Sequence, residues 1–470
     1  MGRRSYTSSH TANLVSMKRL IANVLIGCLV ISLNLSPAVA SVKPGTVCKQ
    51  AGKVVKSAGM NYKCVKSGKK LVWGKGVVVT KLKPAVQPTP TSSESTKPVI
   101  MADPELSPKS IYADASMCQL KSSITTEADL GYQMDPTFLN STGNVNLAII
   151  YTTYTDAAGD DRAFSEYEKV QFPEVERYYS NSSYGRLKIT LTTNSKYYNI
   201  DKSSASYNLE AMNQTSRFSD VAVDAVNAAK GDYDFSKIDA ILVVMPSSAK
   251  IVDLGAIGIR INVGGKTFYQ GITAAYINPS NRKPVFPRFL VHEIGHNFGL
   301  VHPLSQQIGY GWDVMAMEDV PGADLFGWEK YILKWIDPTQ INCSASIPNE
   351  TITSFIEATG ISSSNTKMNM VRLSESKGLV IESRRKSALD ELAPSEEGVL
   401  VYTIDVNLGS NQAPIKLFSN GKPVRRIPTG GSLLLGSLQE GESISVEGIK
   451  VTVLKHGETG DFISISKGKA

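Results

Sequence analysis

The chain has 470 residues, 42 % of them apolar and 20 % charged, and a formal net charge of +7. Beyond its first forty residues no run is long and apolar enough to cross a bilayer as a helix. The excess positive charge sits entirely within the first 83 residues and the remainder is net acidic, so no chain-wide polyanion-binding surface is expected.

Residues 17–40 read as an export signal: Lys18 and Arg19 precede an apolar run that ends at Ala38-Val39-Ala40, a small-residue cleavage pattern. Residues 1–40 are therefore assigned to a signal peptide, with Met17 an alternative start. A secreted or extracellular location is expected. Leu25-Ile26-Gly27-Cys28 also resembles a lipoprotein cleavage box, but Cys28 stands in the middle of the apolar run.

Residues 41–83 hold eleven lysines and no Asp or Glu. Short alternating runs and glycine turns in this segment predict a small β module. Its charge suits an anionic cell envelope, or serves only to solvate the module. Arginine is absent from it, and no nucleic-acid partner is expected. Residues 84–110 carry six prolines among Ser and Thr and read as an extended linker.

Four cysteines remain once the signal is removed, and in an exported chain they are expected to form disulfides. Cys48 and Cys64 share the small module and are expected to pair locally. Cys118 and Cys343 flank the region described next and would tie its ends together. A Cys118 thiolate that caps a metal is the alternative, although no cysteine-switch motif surrounds it.

From residue 111 the pattern alternates. Buried strands are expected at 146–152, 187–192 and 240–245, and helices at 164–180 and 217–229, with Pro173 forcing a break or a late start in the first. A hairpin is expected across Gly264-Gly265, joining 257–263 to 268–277. Helices are expected at 286–299 and 324–335. The strand at 268–277 is the candidate edge strand for pairing with an extended peptide.

The helix at 286–299 opens the run HEIGHNFGLVH, residues 292–302. His292 and His296 are one turn apart on one helix face and can chelate a metal. Gly299 allows the sharp turn that brings His302 back as a third ligand. Three protein ligands leave a fourth position open, as in a catalytic zinc site. Glu293 is placed to act as general base. One Zn2+ is expected, and nothing indicates a structural calcium site. Met315 follows thirteen residues after His302, in Gly311-Trp312-Asp313-Val314-Met315, and by itself reads as a core methionine.

HEIGHNFGLVH, GYGWDVMA and LFGWEKYILKWID together resemble the gametolysin family of secreted metzincin metallopeptidases. The Asp-Val-Met turn and the Trp-containing helix after it are also similar to immune inhibitor A-like peptidases. That group commonly carries Asp where this chain has His302. VERYYSNSSYGRLKITLT, residues 175–192, resembles the first helix and second strand of these enzymes. The resemblance covers roughly residues 144–340 and extends only loosely beyond. Ala316 departs from the Gly or Ser that often follows the methionine.

The resemblance implies an α+β metzincin-type catalytic domain over 111–345, with a twisted mixed sheet and an active-site helix. It implies a turn in which the Met315 thioether floors the metal site without coordinating it. It implies a zinc metalloendopeptidase acting on protein or peptide substrates. Residues 346–470 show short strands separated by turns and read as an all-β, sandwich-like domain. A monomer is expected. The alternatives are a cell-wall peptide hydrolase, or a surface adhesion protein that uses a peptidase-like scaffold.

Overall fold

The computed structural model describes residues 43–468 except 58–59, 69, 76, 79–101, 125–128, 133, 210–217, 252–259, 276–285, 304–309, 317–322, 411, 421–422 and 427–432. The expected signal peptide and the Cys28 box lie outside the described residues. The chain divides into two units, residues 1–99 and 100–470. Together they form a mixed α+β structure.

The first unit is a small antiparallel sheet. Its strands are β1 (Val54–Ser57), β2 (Met60–Ser67), β3 (Lys70–Trp73) and β4 (Val77–Val78). β2 pairs with each of the other three. A disulfide joins Cys48 to Cys64. Cys48, Tyr62 and Cys64 are its buried residues among those described.

The second unit begins with a five-stranded mixed sheet. It contains β5 (Gly143–Tyr154), β6 (Leu187–Ile200), β7 (Ala240–Pro246), β8 (Arg260–Val263) and β9 (Lys266–Ala275), in the spatial order β6-β5-β7-β9-β8. Four strands run parallel and β8 runs antiparallel to β9. Helices α1 (Arg162–Glu166) and α2 (Phe172–Ser182) connect β5 to β6. Pro173 lacks an amide hydrogen and its ring crowds the carbonyl four residues back. The helix accommodates it with a wider π turn over Tyr167–Gln171, so Pro173 falls in the first turn of α2. α3 (Phe218–Ala229), α4 (Phe286–Asn297) and α5 (Gly327–Ile332) complete the helices.

Alternate side chains of β5 enter two separate cores. Leu147, Ile149 and Tyr151 pack with Val175 of α2 and with Leu290 and Ile294 of α4. Ala148 and Ile150 pack with Val221 and Ala225 of α3. The sheet is therefore covered on both faces, as its nearly continuous apolar strands require.

The structure corrects the expected edge strand. Gly264 and Gly265 both take positive φ, +62° and +84°, and this tight hairpin folds β8 onto the outer side of β9. β9 is internal, and β8 is the outer strand on that side of the sheet among those described.

The rest of the chain forms two packed sheets. The first has the order β10-β12-β13-β14-β15, from β10 (Ile341–Ser344), β12 (Met368–Arg372), β13 (Lys377–Arg384), β14 (Gly398–Asp405) and β15 (Ile415–Phe418). The second has the order β11-β20-β19-β18, from β11 (Ile352–Glu357), β18 (Ser443–Val446), β19 (Ile449–His456) and β20 (Gly460–Lys467). β16 (Pro423–Arg426) and β17 (Leu433–Leu435) form a separate pair. Leu379, Ile381, Val399 and Val401 meet Val451, Val453, Ile463 and Ile465 between the two sheets. The opposite face of the first sheet carries Met368, Met370, Val380, Leu400 and Tyr402, which share one core with α4 and α5. That sheet is buried on both sides.

Two segments that precede residue 346 pair with the β region. β10 lies within 111–345, yet it pairs with β12 of the β region. Residues 102–110, expected in the linker, lie against the β region: the Ser107 amide donates to the Thr353 carbonyl at 2.9 Å, and Lys109 Nζ donates to Asn342 Oδ1 at 2.7 Å. Polar backbone that finds partners on a sheet edge has no reason to stay extended in water. Cys118 and Cys343 are bonded to each other, which also excludes a free Cys118 thiolate over the histidines.

Candidate metal centre

The α4 helix carries His292 and His296 one turn apart, both buried. It ends in a glycine cap of the Schellman type. The Gly299 amide donates to the His296 carbonyl at 3.0 Å and the Leu300 amide to the Gly295 carbonyl at 3.2 Å, with Gly299 at φ +89°. The turn returns the chain so that His302 faces the other two histidines.

The three Nε2 atoms converge. His292 Nε2 is 3.2 Å from His296 Nε2 and 3.1 Å from His302 Nε2. Ligand atoms of a tetrahedral zinc at Zn–N of roughly 2.0–2.1 Å lie about 3.3 Å apart. The outer nitrogens fix the tautomers. His292 Nδ1 lies 2.8 Å from the Val314 carbonyl and His296 Nδ1 lies 2.7 Å from the Leu300 carbonyl. A carbonyl can only accept, so each Nδ1 carries the proton and each Nε2 presents a lone pair. Two such lone pairs aimed at each other repel unless a cation lies between them. A proton fits poorly there, because burial and the neighbouring imidazoles hold the His296 pKa well below its usual value. His292, His296 and His302 could together hold a metal ion.

Met315 lies against α4 at Gly295, inside a turn closed by the Ala316 amide donating to the Asp313 carbonyl at 3.2 Å. Its sulfur occupies the space that a β-carbon on Gly295 would need. The same turn supplies the Val314 carbonyl that orients His292. Glu293, partly exposed, follows His292 on α4. Its carboxylate is near enough to help burial push the Tyr179 hydroxyl pKa well above its ordinary value. The Tyr179 hydroxyl donates to the Val291 carbonyl at 2.6 Å and so braces α4.

Several supporting residues were not singled out in the sequence. Asp313, fully buried, accepts from the Met315 amide and from the Phe326 amide, each at 2.6 Å, and staples the turn to the start of α5. Arg384 of β13, also buried, donates to the Trp312 carbonyl at 2.8 Å and the Leu325 carbonyl at 3.1 Å, while ion-paired with Glu382 and Asp390. Ser410, in the loop between β14 and β15, accepts from the His302 amide at 3.1 Å, and the Ile415 amide donates to the Pro303 carbonyl at 2.8 Å. The β region therefore braces both the methionine turn and the third histidine. Cys48, Cys64, Cys118 and Cys343 lie in their two disulfides and are not part of the histidine group.

No family model matches the chain, and no curated protein matches it. Among solved structures it is similar to wild-type OgpA from Akkermansia muciniphila, at 11 % identity and a TM-score of 0.28, over 63 % of this chain and 93 % of that one. It is also similar to catalytically inactive OgpA in complex with an O-glycopeptide substrate, at 10 % identity and a TM-score of 0.27, over 64 % and 96 % of the two chains. At these TM-scores the likeness is slight.

Proposed function

We propose that the chain is an exported, metzincin-like zinc endopeptidase, similar to the gametolysin family. The observation that carries this reading is the convergence of three Nε2 atoms, with the tautomers of His292 and His296 set by the Val314 and Leu300 carbonyls. His292, His296 and His302 would hold the ion. When bound, zinc lowers the pKa of water towards ~7 and polarises a carbonyl. Glu293 accepts the proton of the attacking water and passes it to the leaving amine. Met315 and Gly295 keep α4 and the turn in fixed contact, so the histidine group stays preorganised.

Metal analysis of the purified chain, combined with digestion of a mixed protein library with and without a chelator, tests the reading. About one zinc per chain and chelator-sensitive cleavage at internal peptide bonds are expected. Cleavage of peptidoglycan peptides alone would favour the cell-wall hydrolase. A metal-free chain that cleaves nothing would overturn the proposal.

A further inference from the structure

The small cationic unit has two unlike faces. In an antiparallel pair, residues directly opposite each other point to the same side. Val65 is opposite Val72, which is bridged in turn to Val47. Lys63, two residues from Val65 on β2, is opposite Val54. Ser67, two residues beyond Val65, is opposite Lys70. One face therefore carries a stripe of four valines with Lys63 and Lys70 beside it. The other face carries Val55, Tyr62, Cys64, Lys66, Leu71 and Trp73 by the same register, and there Tyr62 and Cys64 are buried.

The valine stripe is wet. Val47 is 73 % exposed, Val54 56 % and Val65 40 %. These are three of the seven large apolar side chains most exposed among the described residues, gathered on one face of a very small unit. Lys63 and Lys70 beside them are exposed, and so are Lys49, Lys53, Lys66 and Lys75 elsewhere on the unit. No carboxylate from residues 41–83 offsets them.

We propose that this valine–lysine face docks on an anionic lipid bilayer. The charge suits any polyanion, but the valines distinguish the candidates. A soluble or wall-bound polyanion engages the lysines and leaves the aliphatic stripe in water. The bilayer interface takes both: the valines enter the boundary between headgroups and acyl chains, and the lysine stems lie along it with their ammonium groups on lipid phosphates. The unit also lacks arginine, whose planar fork is the group suited to bidentate phosphate recognition. A lysine set makes a diffuse electrostatic contact of the kind a fluid headgroup layer needs. This reading does not depend on the proposed peptidase activity.

The test is co-sedimentation of the full chain with two vesicle types, phosphatidylcholine alone and an equal mixture of phosphatidylglycerol and phosphatidylcholine, at low and high salt. Binding to the anionic vesicles only is expected, weakening at least tenfold as salt screens the exposed charges. K63E/K70E should lower the partition coefficient at least tenfold. V47S/V54S/V65S should lower it at least fivefold at low salt, where charge alone would hold the chain. Both variants alter exposed residues, and mass spectrometry of the intact Cys48–Cys64 bond checks that the unit still forms. Equal binding to both vesicle types would overturn the proposal. So would wild-type binding by the valine variant, or retention on polyphosphate beads without vesicle binding, which would assign the face to a polyanion.

Discussion

The sulfur of Met315 lies against Gly295, in the space a β-carbon would take at that position. Helix propensity alone favours Ala over Gly within α4 by up to about 1 kcal/mol. Packing predicts the opposite sign. Gly295→Ala must displace the Met315 thioether, which lies in the turn whose Val314 carbonyl orients His292. A loss of about 1–3 kcal/mol in stability is expected, together with weaker zinc binding. Chemical denaturation and a zinc competition titration measure both. A stabilised variant would mean that the turn does not press on the helix.

Glu293→Gln separates holding the metal from using it. The amide is close in shape but cannot accept the water's proton. Zinc content should be unchanged and peptide hydrolysis should fall by about 10²–10⁴-fold. A Gln variant that cleaves at the wild-type rate would remove Glu293 from the proton path.

The histidines make a thermodynamic prediction as well as a catalytic one. A metal that binds only the folded chain stabilises it, by about 2.7 kcal/mol at a hundredfold excess over Kd. The Tm of the wild-type chain should rise with added zinc and fall with a chelator. H292A/H296A/H302A should show neither shift and should bind no zinc. A zinc-dependent Tm in the triple variant would place the ion elsewhere.

Much of this centre was legible because each fixed position has a local cause. The spacing of His292 and His296 needs only a helix, and the glycine cap at Gly299 needs only a positive φ. What could not be read depends on long-range packing. Along β13, Glu382 and Arg384 alternate with Ile381 and Ser383, and a period of two assigns them to the solvent face of a sandwich. They are buried because that face of the sheet packs on α4 and α5. The role of Ser410 likewise depends on a loop 108 residues away from His302 in the chain. The edge strand failed for a related reason. Tyr269 and Leu242 lie in strands that both read as apolar, and only the pairing order shows that β8 covers the outer side of β9.

The buried acids beneath the methionine turn give a pH prediction. Burial, and then the neighbouring Asp313 carboxylate, push the Glu329 pKa well above the usual carboxylate range. Asp313 keeps the better claim to the negative charge, because the Met315 and Phe326 amides both donate to it. Glu329 is therefore protonated in the folded state, whereas in the unfolded chain it ionises near pH ~4.3. Below that pH both states hold the proton and its contribution to stability is fully present. As pH rises towards the folded-state pKa, only the unfolded chain releases the proton, and stability falls by up to about 1.4 kcal/mol per pH unit. Glu329→Gln cannot ionise and lacks this slope. Urea denaturation of both proteins at pH 5, 6 and 7, in the presence of a chelator, isolates the effect, because His296 and the other titrating groups are common to the two. The stability of the wild type relative to the Gln variant should decline steadily across that range. Parallel curves would mean that Glu329 is ionised in the folded chain and that the turn rests on two buried charges.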